Sequence, residues 1–381
     1  MEYPLSLFYA TTPQGLEDIA ALELKELGAD VISWGKGRVS FKAPFPFFYQ
    51  ANYLARTIHR IVILLLRAHV HDLDEIYERA RSLDWSFIAK EQAFAVRPKR
   101  IGAHPFTSQD LGRVIGQAVI DRYFEAYGHR LQVNLEDPDV AINAELYDDE
   151  LLMGIDTTGD TALSKRGYRF YQHPAPLNPA VASNLIRLSG WDPFRSLLDP
   201  MGGSGTILIE AALAGLHIPP GRWRGRYAFE RLPFFDRKRW EEVREEAEER
   251  VERRPLQLIG MEKFEKHVRG AQLNAERAGV AFTIKFLQGD ATKDPLPPSD
   301  FIVTNPPYGL RIGRRRLMSH LYGELLDNLR RWGQEGTKVL VITGEFQAFQ
   351  EALLKRDFDL LHWREVLLGD LPTKVFSFAL T

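Results

Sequence analysis

Cysteine is absent from the 381 residues of this chain, which excludes disulfides, thiolate nucleophiles and cysteine-ligated zinc. Long apolar runs are missing too. The longest, Ile61 to Leu66, is strand-sized and far short of the ~20 residues that cross a bilayer. The opening Met1-Glu2-Tyr3-Pro4 lacks the basic and apolar regions of a secretion signal, so a cytoplasmic location and no membrane partner are expected. The 10 histidines are scattered, with no helical i, i+4 pair beside an acid, and no metal is expected. Nor does one sign of charge dominate. A net charge of −2 argues against a simple nucleic-acid coat protein.

What is present is enough apolar side chain, 45% hydrophobic and 11% aromatic, to bury a substantial core in two or three domains. Charge is uneven along the chain. Basic clusters occur at Arg97-Pro98-Lys99-Arg100, at Lys165-Arg166 with Arg169, at Arg222, Arg224 and Arg226, and from Arg311 to Arg316, while acids concentrate from Glu241 to Glu252. Any one cluster suits a solvated face. Clusters that flank motifs and linkers also suit phosphate contacts.

The N-terminal part reads as small α/β units. A strand at Leu5 to Ala10 precedes a helix over Pro13 to Leu27 and a hairpin around Gly35-Lys36-Gly37. A second unit has strands at Ile58 to Leu66 and Ala93 to Arg97, helices at Leu73 to Ser82 and Ser108 to Tyr127, and strands at Leu131 to Asn134, Val140 to Tyr147 and Glu150 to Asp156. Between Thr157 and Pro179 glycines and prolines break periodicity, as in a linker. From Asn178 onward strands and helices alternate, the mark of a parallel sheet covered by helices. Seven strands are expected, the last two as a hairpin-like pair, with Trp240 to Arg254 as a solvated helix.

Four strand ends carry chemistry. Leu198-Asp199-Pro200-Met201-Gly202-Gly203-Ser204-Gly205-Thr206 is an apolar strand, an acid, a glycine-rich turn and the start of a helix. Glycines let a ligand approach the backbone. A pyrophosphate would prefer such a turn without the acid, whereas Asp199 suits the ammonium of an amino acid. Glu262 ends the next strand, where an acid accepts ribose hydroxyls. Asp290, in Gln288-Gly289-Asp290-Ala291, is placed to accept from an adenine amine. Last comes Thr304-Asn305-Pro306-Pro307-Tyr308-Gly309. An exocyclic amine is a poor nucleophile because its lone pair is delocalised into the ring. Two acceptors on its N–H bonds, the Asn305 side-chain oxygen and the Pro306 carbonyl, localise that pair. Tyr308 can stack on an extruded base, and the prolines stiffen the loop.

These four segments resemble motifs I to IV of the class I amino-methyltransferases, and Asn178 with its helix resembles the motif that precedes them. The resemblance extends over nearly the whole chain. Phe8 to Glu17, Asp84-Trp85, Glu136 to Val140 with Ile142-Asn143, Ser164 to Arg169, and the insertion from Ala214 to Arg254 are similar to the THUMP-containing bacterial large-subunit rRNA guanine-N2 methyltransferases. Tyr308 to Gly313 with the basic residues after it is similar to the related tRNA enzymes.

The fold implied is α/β: a ferredoxin-like domain over residues 1–55, a THUMP RNA-binding domain over 56–160, a linker over 161–177, and a Rossmann-like class I methyltransferase with a seven-stranded sheet over 178–381. The resemblance further implies S-adenosylmethionine as cofactor, bound by Asn178, Asp199, Met201, Gly203, Ser204, Gly205, Thr206, Glu262, Lys263, Asp290, Ala291 and Asn305. Asn305, Pro306, Pro307 and Tyr308 would be catalytic. Arg97, Lys99, Arg100, Lys165, Arg166, Arg311, Arg314, Arg315 and Arg316 would contact structured RNA, first 23S rRNA or its precursor and alternatively tRNA. The chain departs from the family at Gly202, where cysteine is usual. A non-catalytic RNA-binding protein, a DNA adenine-N6 methyltransferase and a nicotinamide enzyme are the competing readings.

Overall fold

The computed structural model describes residues 4–309 and 315–380, with side chains at all of these except 315 and 316. The N-terminal part runs β1 (Leu5–Thr11), α1 (Glu17–Glu26), β2 (Asp30–Gly35), β3 (Arg38–Pro44), α2 (Phe47–Leu54), β4 (Arg60–His69), α3 (Leu73–Arg81), β5 (Ala93–Ile101), α4 (Ser108–Tyr127), β6 (Gln132–Val133), β7 (Val140–Tyr147) and β8 (Glu150–Asp156). Local chemistry sets the ends of α4. Thr107 and Asp110 form a reciprocal capping box at its start, and Gly128, at φ 64, closes it in the left-handed conformation.

These strands form one eight-stranded sheet in the order β2-β3-β1-β4-β8-β7-β5-β6. The expected boundary at 55/56 falls just before β4, yet the sheet crosses it. Arg60 to Ile63 pair with β1 and Val62 to His69 pair with β8, so this ten-residue strand belongs to both units.

Helix α2 leaves no helical period in the sequence. Phe47, Phe48, Tyr49, Ala51, Asn52 and Tyr53 are all buried, so no polar face marks a helical period.

The C-terminal part continues with α5 (Pro179–Ser189), β9 (Leu197–Asp199), α6 (Thr206–Gly215), α7 (Arg237–Glu249), β10 (Leu258–Glu262), α8 (Glu265–Arg277), β11 (Ile284–Gln288), β12 (Phe301–Thr304), α9 (Arg315–Trp332), β13 (Lys338–Thr343), α10 (Phe346–Leu354), β14 (Leu360–Leu368) and β15 (Leu371–Ala379). The seven strands lie in the order β11-β10-β9-β12-β13-β15-β14. Neighbours are parallel from β11 to β13, and β15 is antiparallel to both β13 and β14. The chain order reverses at β9, and in open α/β sheets ligands bind beyond the carboxyl ends of the strands at such a point.

The insertion between α6 and β10 is not a solvated excursion. Trp240, Val243 and Ala247 of α7 are buried. Trp240 meets Tyr53 edge-on at 5.3 Å, and Phe229 meets Tyr49 at 5.0 Å. A segment of the C-terminal half thus completes the core of the N-terminal half.

Polar ties join the halves as well. Asn184 of α5 donates to the Thr57 carbonyl at 3.0 Å, and the Glu23 carboxylate holds that stretch from within the N-terminal half, accepting from the Arg56 and Thr57 amides at 2.9–3.0 Å. Arg364 pairs with Asp18 at 2.7 Å, and the Leu367 amide donates to the Gln14 carbonyl at 3.0 Å. No helix among the described residues is long and apolar enough to cross a membrane.

Candidate active site

A cleft of about 2100 Å³ opens beyond the carboxyl ends of β9, β10 and β12 and extends to β5 and β7 of the other sheet. Asp199 ends β9 with only 2% of its surface exposed. Burial pushes its carboxyl up to about 7, against the Thr304 hydroxyl and the Met201 amide, which hydrogen-bond to Oδ1 at 2.8 and 3.2 Å and favour the anion. Thr304 immediately precedes Asn305, so this hydroxyl ties the fourth motif to the first.

The glycine turn follows. Gly203 and Gly205 adopt φ of 53 and 76, where an L side chain is strained. A Cβ at Gly205 would also lie 3.1 Å from Ala271. Gly205 caps α6 from behind and does not line the cleft, whereas Met201, Gly202, Gly203, Ser204 and Thr206 do. Gly202 is different: a Cβ there would meet nothing nearer than 3.6 Å. The position has room for the side chain usual in the family.

Glu262 ends β10 and accepts the Gly203 amide on Oε2 at 3.1 Å and the Phe264 amide on Oε1 at 3.0 Å. Each oxygen keeps acceptor capacity toward the cleft. Burial opposes ionisation of Asp290, but hydrogen bonds from Lys263 and Thr292 outweigh it and hold the carboxyl at about 2. The Lys263 ammonium lies 2.9 Å from Asp290. Ala291 and Asn178 also line the cleft. Asn178 caps α5, accepting from the Ala180 amide at 2.9 Å. Three acids at three adjacent strand ends match the donors of a nucleoside that carries an amino acid: an ammonium, a ribose diol and an adenine amine.

The Asn305 to Tyr308 loop faces the same space. Tyr322 braces it, donating to the Pro307 carbonyl at 2.9 Å and meeting Thr343 Oγ1 at 2.9 Å. The Tyr308 hydroxyl donates to Asn305 Oδ1. Burial pushes that hydroxyl well above the ordinary phenol range, which keeps it a donor. Its ring lies over Gly344, where a Cβ would approach to 3.1 Å.

The basic residues divide. Arg97 and Lys99 line the cleft, while Arg100, one position out of phase on β5, bonds to the Gly102 carbonyl and His104 and does not. Lys165 is exposed on a separate cavity of about 420 Å³. Arg166, expected at the RNA surface, is 6% exposed. It pairs with the fully buried Glu210 at 3.2 Å, and its guanidinium also donates to the Arg56 carbonyl at 2.9 Å and to the Leu163 carbonyl. A buried guanidinium so paired holds the two halves together and is not available to a phosphate. Arg311 and Arg314 lie outside the described residues, as do the side chains of Arg315 and Arg316.

The cleft residues that escape the motif reading include Lys36 and Arg60 on the N-terminal side and His173 over the glycine turn. Lys36 had a signal, its place in a Gly-Lys-Gly hairpin turn. Among the described residues no group of three or more His, Asp or Glu side chains is placed to hold a metal.

Comparison with known proteins follows the same map. A family profile described as RMKL-like, methyltransferase domain, matches residues 166–374, a THUMP domain profile matches 70–156, and an RlmL ferredoxin-like domain profile matches 7–62. The chain is 43% identical to the tRNA (guanine(6)-N2)-methyltransferase of Methanocaldococcus jannaschii, over 98% of this chain and 100% of that one. It is 34% identical to the ribosomal RNA large subunit methyltransferase K/L of Photobacterium profundum, over 86% of this chain and 47% of that longer protein. The crystal structure of SMU.472 complexed with SAH superposes with a TM-score of 0.85 at 26% identity, covering 99% of this chain and 98% of that one. With its methyltransferase, THUMP and ferredoxin-like segments all matched, the chain belongs to the THUMP-containing, RMKL-like family of S-adenosylmethionine-dependent RNA guanine-N2 methyltransferases.

Proposed function

We propose that this protein methylates N2 of a guanine in tRNA, in the cytoplasm. The observation that carries the choice of RNA is the whole-length match to a relative named for guanine 6 of tRNA. The K/L relative matches over less than half of its own length and at lower identity. The cleft supports an RNA substrate of either kind, because it joins the Asn305 loop to Arg97 and Lys99 on β5. Large-subunit rRNA is the second reading, favoured by the insertion between α6 and β10 that resembles the rRNA enzymes.

S-adenosylmethionine, when bound, supplies an electrophilic methyl group. Asp199, Glu262 and Asp290 are the acceptors for its ammonium, ribose and adenine amine. An RNA base must leave its stack to reach that methyl group. Asn305 Oδ1 and the Pro306 carbonyl then accept the two N–H bonds of the guanine amine. The Tyr308 hydroxyl donates to Oδ1, so base entry exchanges a phenol O–H for an amine N–H and frees the ring to stack. The hydroxyl stays protonated throughout, and no general base is required in advance. As the new N–C bond forms, the S–CH3 bond would break with its electron pair kept by sulfur, leaving the thioether S-adenosylhomocysteine, and the amine's proton would pass by way of the Asn305 and Pro306 oxygens to water.

The test is methyl transfer from labelled S-adenosylmethionine to unmodified tRNA and large-subunit rRNA transcripts, read by nucleoside mass spectrometry. N2-methylguanosine in tRNA alone is expected. Product in rRNA alone would transfer the assignment to the second reading, and N6-methyladenosine would overturn the base. Asn305→Ala is expected to lose about 100-fold or more in rate while retaining RNA binding. Wild-type rates in that variant would remove Asn305 from the mechanism.

A further inference from the structure

The methyl-donor site as described has three carboxylates and no partner for the donor's own carboxylate. Glycine turns usually hold an anion on their backbone amides. Here the amides of four turn residues are already engaged. Met201 donates to Asp199, Gly202 to the Met261 carbonyl, Gly203 to Glu262, and Gly205 to the Gly202 carbonyl, at 2.7–3.2 Å. The ammonium of Lys263, next in sequence to Glu262, is paired with Asp290.

A side-chain donor comes from the stretch expected to be a linker. The ring of His173 lies against the turn: Cγ, Cδ2 and Nε2 would all be 3.8 Å from a Cβ at Gly203. Its Nδ1 accepts from the Ala175 amide at 3.2 Å. That bond leaves the proton on Nε2, which makes Nε2 a donor.

His173 is held in place by side chains of the methyltransferase core. Its ring meets His267 of α8 edge-to-face at 4.4 Å, and the Tyr171 hydroxyl meets His267 Nδ1 at 2.5 Å. The Phe170 and Tyr171 amides both donate to Asn274 Oδ1, at 2.9 and 2.7 Å, and Asn274 Nδ2 in turn donates to the Tyr171 carbonyl at 3.1 Å and the Ser204 carbonyl at 3.2 Å. One buried asparagine therefore fastens this stretch and the glycine turn together. Gly270 makes the fit possible, since a Cβ there would fall 2.2 Å from the Tyr171 ring.

We propose that residues 170–176 form a wall of the S-adenosylmethionine site and that His173 binds the carboxylate of the methionine moiety through its Nε2–H. This rests on the cofactor site alone and not on the choice of RNA. Calorimetric titration with S-adenosylhomocysteine and with 5′-methylthioadenosine, which lacks the amino-acid end, separates the parts of the ligand. His173→Ala should weaken S-adenosylhomocysteine about tenfold or more, as loss of a hydrogen bond to a charged group does, and leave 5′-methylthioadenosine unchanged. His173→Gln, which keeps an N–H donor, should restore most of the loss. Gly270→Ala should weaken S-adenosylhomocysteine by displacing Tyr171 and the histidines behind it. Wild-type S-adenosylhomocysteine affinity in His173→Ala would overturn the proposal. So would equal loss for both ligands, which would mean that the wall merely collapsed. A wild-type protein that binds neither ligand would bring down the cofactor site itself, and the proposal with it.

Discussion

Asp199 is held in two opposing ways. Its carboxylate is the proposed acceptor for the donor's ammonium, yet burial pushes its carboxyl up to about 7 from an ordinary value of 3.8. The folded chain thus holds this proton more tightly than the unfolded one. The stability this adds is complete below about pH 4 and is lost as pH rises through 7. Asp199→Asn should therefore melt at least about 2 °C higher than wild type at pH 8 and at the same temperature near pH 4, while binding S-adenosylhomocysteine more weakly. Differential scanning calorimetry at the two pH values checks the sign. A variant that melts lower at pH 8 would contradict it.

Tyr308 offers a second residue-scale test. If the ring stacks on the base, Tyr308→Phe keeps kcat/KM within a few-fold and Tyr308→Ala loses about 10- to 100-fold. Steady-state kinetics on RNA transcripts gives both values, and equal losses would assign the work to the hydroxyl.

At the scale of elements, the decisive packing is a trade between the two halves. Helix α2 is buried on the side that α7 and the turn before it cover, and α7 is too charged to hold itself together without that surface. Trp240 is the largest side chain at the junction, in aromatic contact with Tyr49, Tyr53, Tyr227 and Phe229. Trp240→Ala should cost about 3–5 kcal/mol, seen as a lower midpoint in denaturant. S-adenosylhomocysteine affinity in the folded variant should be unchanged, because Trp240 does not line the cleft. A loss of less than about 1 kcal/mol would restore the view of α7 as a solvated helix.

At the scale of the whole molecule, a net charge of −2 conceals a cleft whose outer reach gathers Lys36, Arg60, Arg97 and Lys99. These cations are not equally free. Lys36 pairs with Asp148, Arg60 with Asp156, and Arg97 with Asp160. Lys99 makes no ion pair among the described residues. It is therefore the one expected to meet a phosphate without first giving up a partner. Lys99→Ala should weaken RNA binding across sequences and reduce the slope of log K against log salt by about one, with cofactor affinity spared. An unchanged slope in filter binding over a salt series would exclude that contact.

The four chemical motifs were legible in the sequence because each is local: a strand end, an acid, a turn, and the amide or glycine geometry of a few consecutive residues. The seven-strand alternation was legible for the same reason, as periodicity is written along the chain. Burial of charge was not. Arg166 reads as a surface cation until Glu210, 44 residues away, lies beneath it with Tyr168 and Ser183 bonded to the same carboxylate. The helical character of α2, the passage of β4 through two units, and the docking of His173 over Gly203 depend likewise on surfaces supplied from elsewhere in the chain. Sequence alone determined which groups can grip a donor and an amine. Only the tertiary structure decided which cations stay exposed and which tie the two halves together, because desolvation and pairing are settled by neighbours in space rather than neighbours in sequence.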